Sequence, residues 1–311
     1  MHILGIGNAI IDVICKVDDD YLKKNSLIKS TMKLIDEKEF KKLLTNLQIE
    51  ETISGGSVAN SIVGLSQLGN DVGFIGKVAN DEFGQKYEDG LKKEKVNYLY
   101  SKKNEPIPTG SCLILITPDS ERTMCTYLGT AGKINDEDIK VNVVKKAKIT
   151  FLEGYLWDEG EPKKAFDKAI TNSNKIAMSL SDIFCVERHK ENFLHLVKDK
   201  LDIVFANEQE ILSLINSKSI NDAISFAKEL NKNIIITRGE NGAIAIKDKE
   251  ISEYKAKKNL NIIDLTGAGD LFAAGYLHGL INNLSIKDCL VNGTELSSKI
   301  IQQLGARIER N

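Results

Sequence analysis

Apolar residues along this chain recur in two patterns, short unbroken runs and helical i, i+3, i+4 stripes, and from Ile149 onward the two alternate. Runs at 149–153, 176–180, 203–206, 234–237 and 243–246 predict strands. Stripes at 162–172, 191–198, 209–215, 220–230, 267–280 and 288–303 predict helices. Nearer the amino end, 2–7 reads as a strand stopped by Gly7 and Asn8. Val58, Ile62, Leu65 and Leu68 give a helix over 56–69 closed by Gly69, followed by a strand over 72–78 and a helix over 83–93. Residues 109–128 read as two strands joined by the polar turn Pro118-Asp119-Ser120-Glu121. This alternation predicts an α/β fold, a doubly wound and mostly parallel sheet with helices on both faces. Segments 13–50 and 97–128 fit it less well. They are expected to supply a small β-rich lid on a single domain spanning 1–311.

Composition narrows the class. Of 311 residues, 42% are hydrophobic and 28% charged, enough apolar material for a sizeable core. A formal charge of -2 and a pI near 6.2 argue against nucleic acid or an anionic membrane surface as the main partner. No apolar run approaches the ~20 residues that span a bilayer, and the start MHILGIGNAIIDVI reads as a strand, not a signal peptide. Cys15, Cys112, Cys125, Cys185 and Cys289 form no C-x-x-C pair, so neither a disulfide framework nor a zinc site is indicated. A cytoplasmic protein is expected. His2, His189, His195 and His278 have no metal-ligand spacing.

The strongest chemical signal is 262–280, IIDLTGAGDLFAAGYLHGL. A short strand is expected to run into Gly267-Ala268-Gly269, whose small residues let main-chain N–H groups close on an anion at a helix start. Asp270, one step on, is placed to accept a proton from a hydroxyl that attacks phosphate. A plain glycine-rich helix start with a dipole-serving Asp is the bland alternative. The full string, with Asp264 and Thr266, favours the chemical one. The phosphate-binding pattern G-x-x-x-x-G-K-[ST] is absent, since Val78 follows Gly76-Lys77. Ile10 stands where a dinucleotide fingerprint needs its third glycine.

Four weaker segments accompany it. Asp12, in an apolar setting after Gly5-Ile-Gly7-Asn8, suits hydroxyl ligands or a turn N–H. Gly55-Gly56-Ser57-Val-Ala-Asn60 suits a polyol or a mere strand-to-helix turn. Asn207 and Glu210 are placed either to order Mg²⁺-bound water or to form a helix capping box. Thr237-Arg-Gly239-Glu-Asn-Gly242 suits a nucleotide groove or a β-turn.

Together these segments resemble the ribokinase-like (PfkB) family of carbohydrate and nucleoside kinases over nearly the full length. The carriers are G-N-x-x-x-D, Gly-Gly-x-x-x-Asn, the piece from Gly76 to Gly84, N-x-x-E and D-x-T-G-A-G-D. Within the family, Gly56-Ser57-Val-Ala-Asn60, Pro108-Thr109-Gly110 and Phe205-Ala-Asn207-Glu208-Gln-Glu210 resemble the adenosine kinases more than the ribokinases. The resemblance implies transfer of the γ-phosphate of ATP, with Mg²⁺, to a primary hydroxyl, foremost the 5′-hydroxyl of adenosine to give AMP. A sugar such as ribose or fructose is the alternative acceptor, and a non-catalytic nucleoside or sugar sensor the second. Asp270 would be the base and Gly267, Ala268 and Gly269 the anion hole. Asn8, Asp12, Gly55, Gly56, Ser57 and Asn60 would hold the acceptor. Asn207 and Glu210 would organise Mg²⁺, and Thr237, Gly239 and Gly242 would line the ATP groove. Arg122, in the lid hairpin, would clamp the transferred phosphate or remain a solvated turn residue. A monovalent cation, K⁺, is expected near Asp264, where Leu265 departs from the family's usual small polar residue. The family includes monomers and lid-mediated homodimers.

Overall fold

The computed structural model describes residues 1–119 and 121–308, so Ser120 of the 118–121 turn and residues 309–311 lie outside the description. Among the described residues fourteen strands are formed. The first seven are β1 (Ile3–Ile6), β2 (Ile10–Lys16), β3 (Met32–Leu34), β4 (Ile49–Ser54), β5 (Val72–Ile75), β6 (Asn97–Tyr98) and β7 (Gly110–Ile116). The rest are β8 (Arg122–Tyr127), β9 (Ile149–Glu153), β10 (Ile176–Ser179), β11 (Ile203–Asn207), β12 (Asn233–Thr237), β13 (Ala243–Lys247) and β14 (Glu250–Tyr254).

Nine strands make one sheet in the order β14-β13-β12-β11-β10-β9-β1-β5-β6. From β12 to β6 every neighbour is parallel. Strand period sets the two faces. In β12, Ile234 and Ile236 join one buried cluster with Leu4, Leu152, Val204 and Phe166, while Ile235 joins the other with Ile3, Phe74, Phe151 and Phe205. Helices therefore cover both faces, as the alternation predicts.

Three differences from the sequence reading bear on the large sheet and on the approach to Gly267. The edge strands β13 and β14 run antiparallel, joined by Asp248 and Lys249, both with positive φ. That two-residue hairpin turn reverses the chain. β14 escaped notice because its residues are largely exposed and polar. Asn97–Tyr98, assigned to the lid segment, instead pairs with β5 at the edge of the large sheet. The strand expected before Gly267 is absent. Residues 261–266 form an irregular segment held by Ile263 N–H and Asp264 N–H, both donating to the Ile301 carbonyl.

A second sheet, β3-β8-β7-β2-β4, carries the helices Asp19–Lys24 and Glu37–Leu44. Only Gly7, Asn8 and Ala9 separate β1 of the large sheet from β2 of the second, and only Gly55 and Gly56 separate β4 from the helix Ser57–Gln67. That helix lies beside Ala268–Ile281, which packs in turn on Ile286–Ile300. Ala268–Ile281 is apolar almost all round and buried from Leu271 to Leu277, so its first turn is held rigidly at the junction of the two sheets.

Candidate active site

Gly267 starts this helix with φ 78, a left-handed conformation that only glycine adopts without strain, and a methyl group there would lie 2.7 Å from Ala306 Cα. The turn leaves the N–H groups of Gly269 and Asp270 with no carbonyl four residues earlier in the helix. A methyl group at Gly269 would meet nothing within 4 Å, so open space lies beside this turn. An anion there meets both the N–H groups and the positive end of the helix dipole.

Asp270 is fixed at both carboxylate oxygens. Ser57 Oγ donates to Oδ1 at 2.6 Å, and Asn60 Nδ2 donates to Oδ2 at 3.0 Å. Ser61 Oγ donates to its main-chain carbonyl at 2.8 Å. Although Asp270 keeps some solvent access, the surrounding protein desolvates its carboxyl and pushes the pKa up to about 6. The bonds from Ser57 and Asn60, and the charge of Arg307, pull the other way.

The helix carrying Ser57 and Asn60 needs Gly56 at its start, where φ is 103 and a methyl group would lie only 2.2 Å from the Asn8 carbonyl oxygen. Gly55 brings the main chain against the Asp12 carboxylate. Burial raises Asp12 to about 7, opposed by the charges of Arg307 and Arg122 and reinforced by Asp270. Asn8 is buried, but its amide donates to Glu153 Oε1 at 2.8 Å, and its Oδ1 has no partner among the described residues. The residues grouped in the sequence as one acceptor site thus divide. Ser57 and Asn60 hold the Asp270 carboxylate, Asp12 lies against Gly55, and Asn8 is tied to Glu153.

Two residues around this site had no forewarning in the sequence. Glu153, at the end of β9, accepts from Asn8 N–H and Nδ2 at Oε1 and from Val58 N–H at Oε2, joining β1 to the start of the Ser57 helix. Burial lifts its pKa to about 7 against those bonds. Arg307 donates through Nε to Asn60 Oδ1 at 3.3 Å, and its buried Nη2 has no partner among the described residues. Its charge is felt by Asp12 and Asp270, and nothing around it in sequence announces that.

Along the same edge, Asn207 ends β11 and caps the helix Glu208–Ile215 in a full capping box. Glu210 accepts from Asn207 N–H at 2.9 Å and from its Nδ2 at 2.6 Å, and burial raises it to about 7. The bland reading of this pair is therefore realised. Each Glu210 oxygen still has a second acceptor position, which suits water on a metal better than direct ligation. Thr237 ends β12, with Gly239 and Gly242 in the turn after it. Among the described residues no cluster of three or more His, Cys, Asp or Glu could hold a metal ion, and the five cysteines are free and buried. No helix among them is long and apolar enough to cross a membrane.

Arg122 is not the solvated turn residue of the alternative reading. Its Nη1 lies 3.0 Å from Asp264 Oδ2, with both side chains largely buried.

Residues 6–310 match the model of the pfkB family carbohydrate kinases. The chain belongs to that family. This pfkB kinase is 35% identical to an adenosine kinase of known structure from Sinorhizobium meliloti, covering 99% of this chain and 95% of that one with a TM-score of 0.90. It is 36% identical to a Rhizobium etli structure described as a "probable sugar kinase protein", covering 98% and 94% with a TM-score of 0.89. It is 25% identical to adenosine kinase 2 of Arabidopsis thaliana over 97% of this chain and 94% of the relative. The pfkB kinase is thus an adenosine kinase-like phosphotransferase with an alcohol group as acceptor, on a ribokinase-like α/β fold.

Proposed function

We propose that this pfkB kinase transfers the γ-phosphate of ATP to the 5′-hydroxyl of adenosine, giving AMP. The observation that carries the chemistry is Asp270, a desolvated carboxylate held by Ser57 and Asn60 directly after the Gly267–Gly269 turn, whose helix start leaves the N–H groups of Gly269 and Asp270 without helical partners. A hydroxyl hydrogen-bonded to Asp270 lies beside any phosphate seated on that turn. As the hydroxyl oxygen attacks phosphorus, its proton passes to an Asp270 oxygen and the bond to the ADP leaving oxygen breaks. The turn's N–H groups, already oriented, stabilise charge on the transferring phosphoryl group.

Asp12 accepts acceptor hydroxyls, and Arg307, through its unpaired Nη2, adds a donor to that site. Thr237, Gly239 and Gly242 line the groove for the nucleotide donor. Asn207 and Glu210 would hold the water shell of a Mg²⁺ ion, which when bound neutralises the phosphates of ATP. The second sheet acts as the lid, excluding water and so suppressing ATP hydrolysis.

The adenosine assignment draws on the names of the relatives. The Rhizobium etli protein supports a second reading in which a sugar is the acceptor. ATP consumption with Mg²⁺ against a panel of nucleosides and sugars decides between them, with Asp270→Ala as control. Turnover on adenosine that disappears in the variant is the expected result. Turnover on ribose or fructose replaces the acceptor and keeps the mechanism. Turnover undiminished in Asp270→Ala removes Asp270 from its role, and no turnover on any acceptor favours a sensor.

A further inference from the structure

The segment that leads into the anion-binding turn is anchored by Asp264, whose carboxylate is fully engaged. Oδ1 accepts from Thr266 N–H at 3.0 Å and from Thr266 Oγ1 at 2.7 Å. Oδ2 accepts from Gly305 N–H at 2.7 Å and pairs with Arg122 Nη1 at 3.0 Å. Three hydrogen bonds and the Arg122 ion pair together engage both oxygens of the carboxylate. The exposures of the Arg122 and Asp264 side chains are only 11% and 9%, so water contributes little to balancing the charge. A monovalent cation at Asp264, expected from the resemblance, does not fit this arrangement. It would have to take an oxygen from Thr266, Gly305 or Arg122, and a second positive charge would then sit against the guanidinium.

The partners of Asp264 also matter for what they join. Gly305 belongs to the chain segment that packs on Gly267, and Ile301 receives the N–H groups of Ile263 and Asp264. Asp264 therefore fixes the path of the chain three residues before Gly267. Arg122 reaches it from the first position of β8, in the other sheet. Its charge is also felt by Asp12.

We infer that the Arg122 guanidinium does the work of a monovalent cation at Asp264, holding the anion-binding turn in place from the second sheet. Arg122 is on this account a positioning residue. It balances the Asp264 charge, and the turn keeps its shape only while the second sheet is docked. Phosphate binding is thereby tied to a residue the protein carries itself, not to the K⁺ of its surroundings.

The activity arm of the test rests on the kinase reading, so a second arm uses melting alone. Wild type and Arg122→Ala are compared in KCl, NaCl and tetramethylammonium chloride at equal ionic strength. Wild type should turn over and melt identically in all three. Arg122→Ala should lose about 100-fold in turnover in tetramethylammonium, the scale of a misplacement of about 1 Å beside the reacting groups. It should regain a large part of that loss in KCl, with a raised melting temperature. The double variant Arg122→Ala/Asp264→Asn should respond to no cation, because no charge remains to be balanced. Activation or stabilisation of wild type by K⁺ over tetramethylammonium overturns the inference. So does an Arg122→Ala protein equally impaired, or equally unimpaired, in all three salts. If Arg122→Ala does not fold, the wild-type profile still decides. If no acceptor is turned over, the melting arm decides without it.

Discussion

In the proposed mechanism Asp270 must lose its own proton before it can receive one from a hydroxyl, and burial delays that loss to about pH 6. The rate should follow. On the acid side, kcat/KM of the free enzyme is expected to fall tenfold per pH unit below about pH 6, and a pH–rate profile checks it. Asp270→Ala should lower kcat by about 10²–10⁴-fold, the range for a positioned general base, while ATP binding measured by calorimetry persists. Asp270, Ser57 and Asn60 could be singled out in the sequence because short strings with fixed spacing carry them, but that Ser57 and Asn60 bond Asp270 itself could not. Glu153 and Arg307 were not. Their bonds to Val58 and Asn60 cross 95 and 247 residues, and a lone acid or a lone arginine has no local pattern to betray it.

At the scale of elements, the site depends on how β1, β9 and the Ser57–Gln67 helix meet. Buried Glu153 accepts three N–H bonds, two from Asn8 just past β1 and one from Val58 in the helix. In Glu153→Gln one oxygen becomes an NH₂ group facing donors, leaving at least one N–H unmatched. A loss of about 1–3 kcal/mol is expected, read as a lower urea midpoint at unchanged slope. Gly56→Ala should cost at least as much, since it combines a positive φ with the clash against Asn8. The central elements were readable because fully buried strands give uninterrupted apolar runs and amphipathic helices give stripes. β3, β6 and β14 were not. They are short or exposed, and what makes each a strand is the neighbour it pairs with, which lies elsewhere in the chain.

For the whole molecule, four carboxyl groups share one electrostatic consequence. Asp12, Glu153 and Glu210 are raised to about 7 and Asp270 to about 6, all above the ordinary value of about 4. The folded state therefore holds these protons more tightly than the unfolded chain. Their contribution to stability is fully present below about pH 4 and is lost as pH rises to about 7. Melting temperature should accordingly decline between about pH 5 and pH 8. Asp270→Asn should melt higher than wild type at pH 8 and show a shallower decline, measured by scanning calorimetry across that range. An identical slope in the variant would show that Asp270 is not among the groups responsible. This is the cost of a working carboxylate kept out of water.

Of the four places where the chain passes between the two sheets, the shortest are Gly7, Asn8 and Ala9 on one side and Gly55 and Gly56 on the other, and these linkers carry or abut the groups around Asp12 and Asp270. The second sheet is consequently not an interchangeable module. Grafting it from a relative would bring along the donor's register at Asp12 and its approach to Ser57, so choice of acceptor and manner of closure would be inherited together. Divergence within such a scaffold should proceed by coordinated change at these two junctions, with the remainder of the large sheet left untouched.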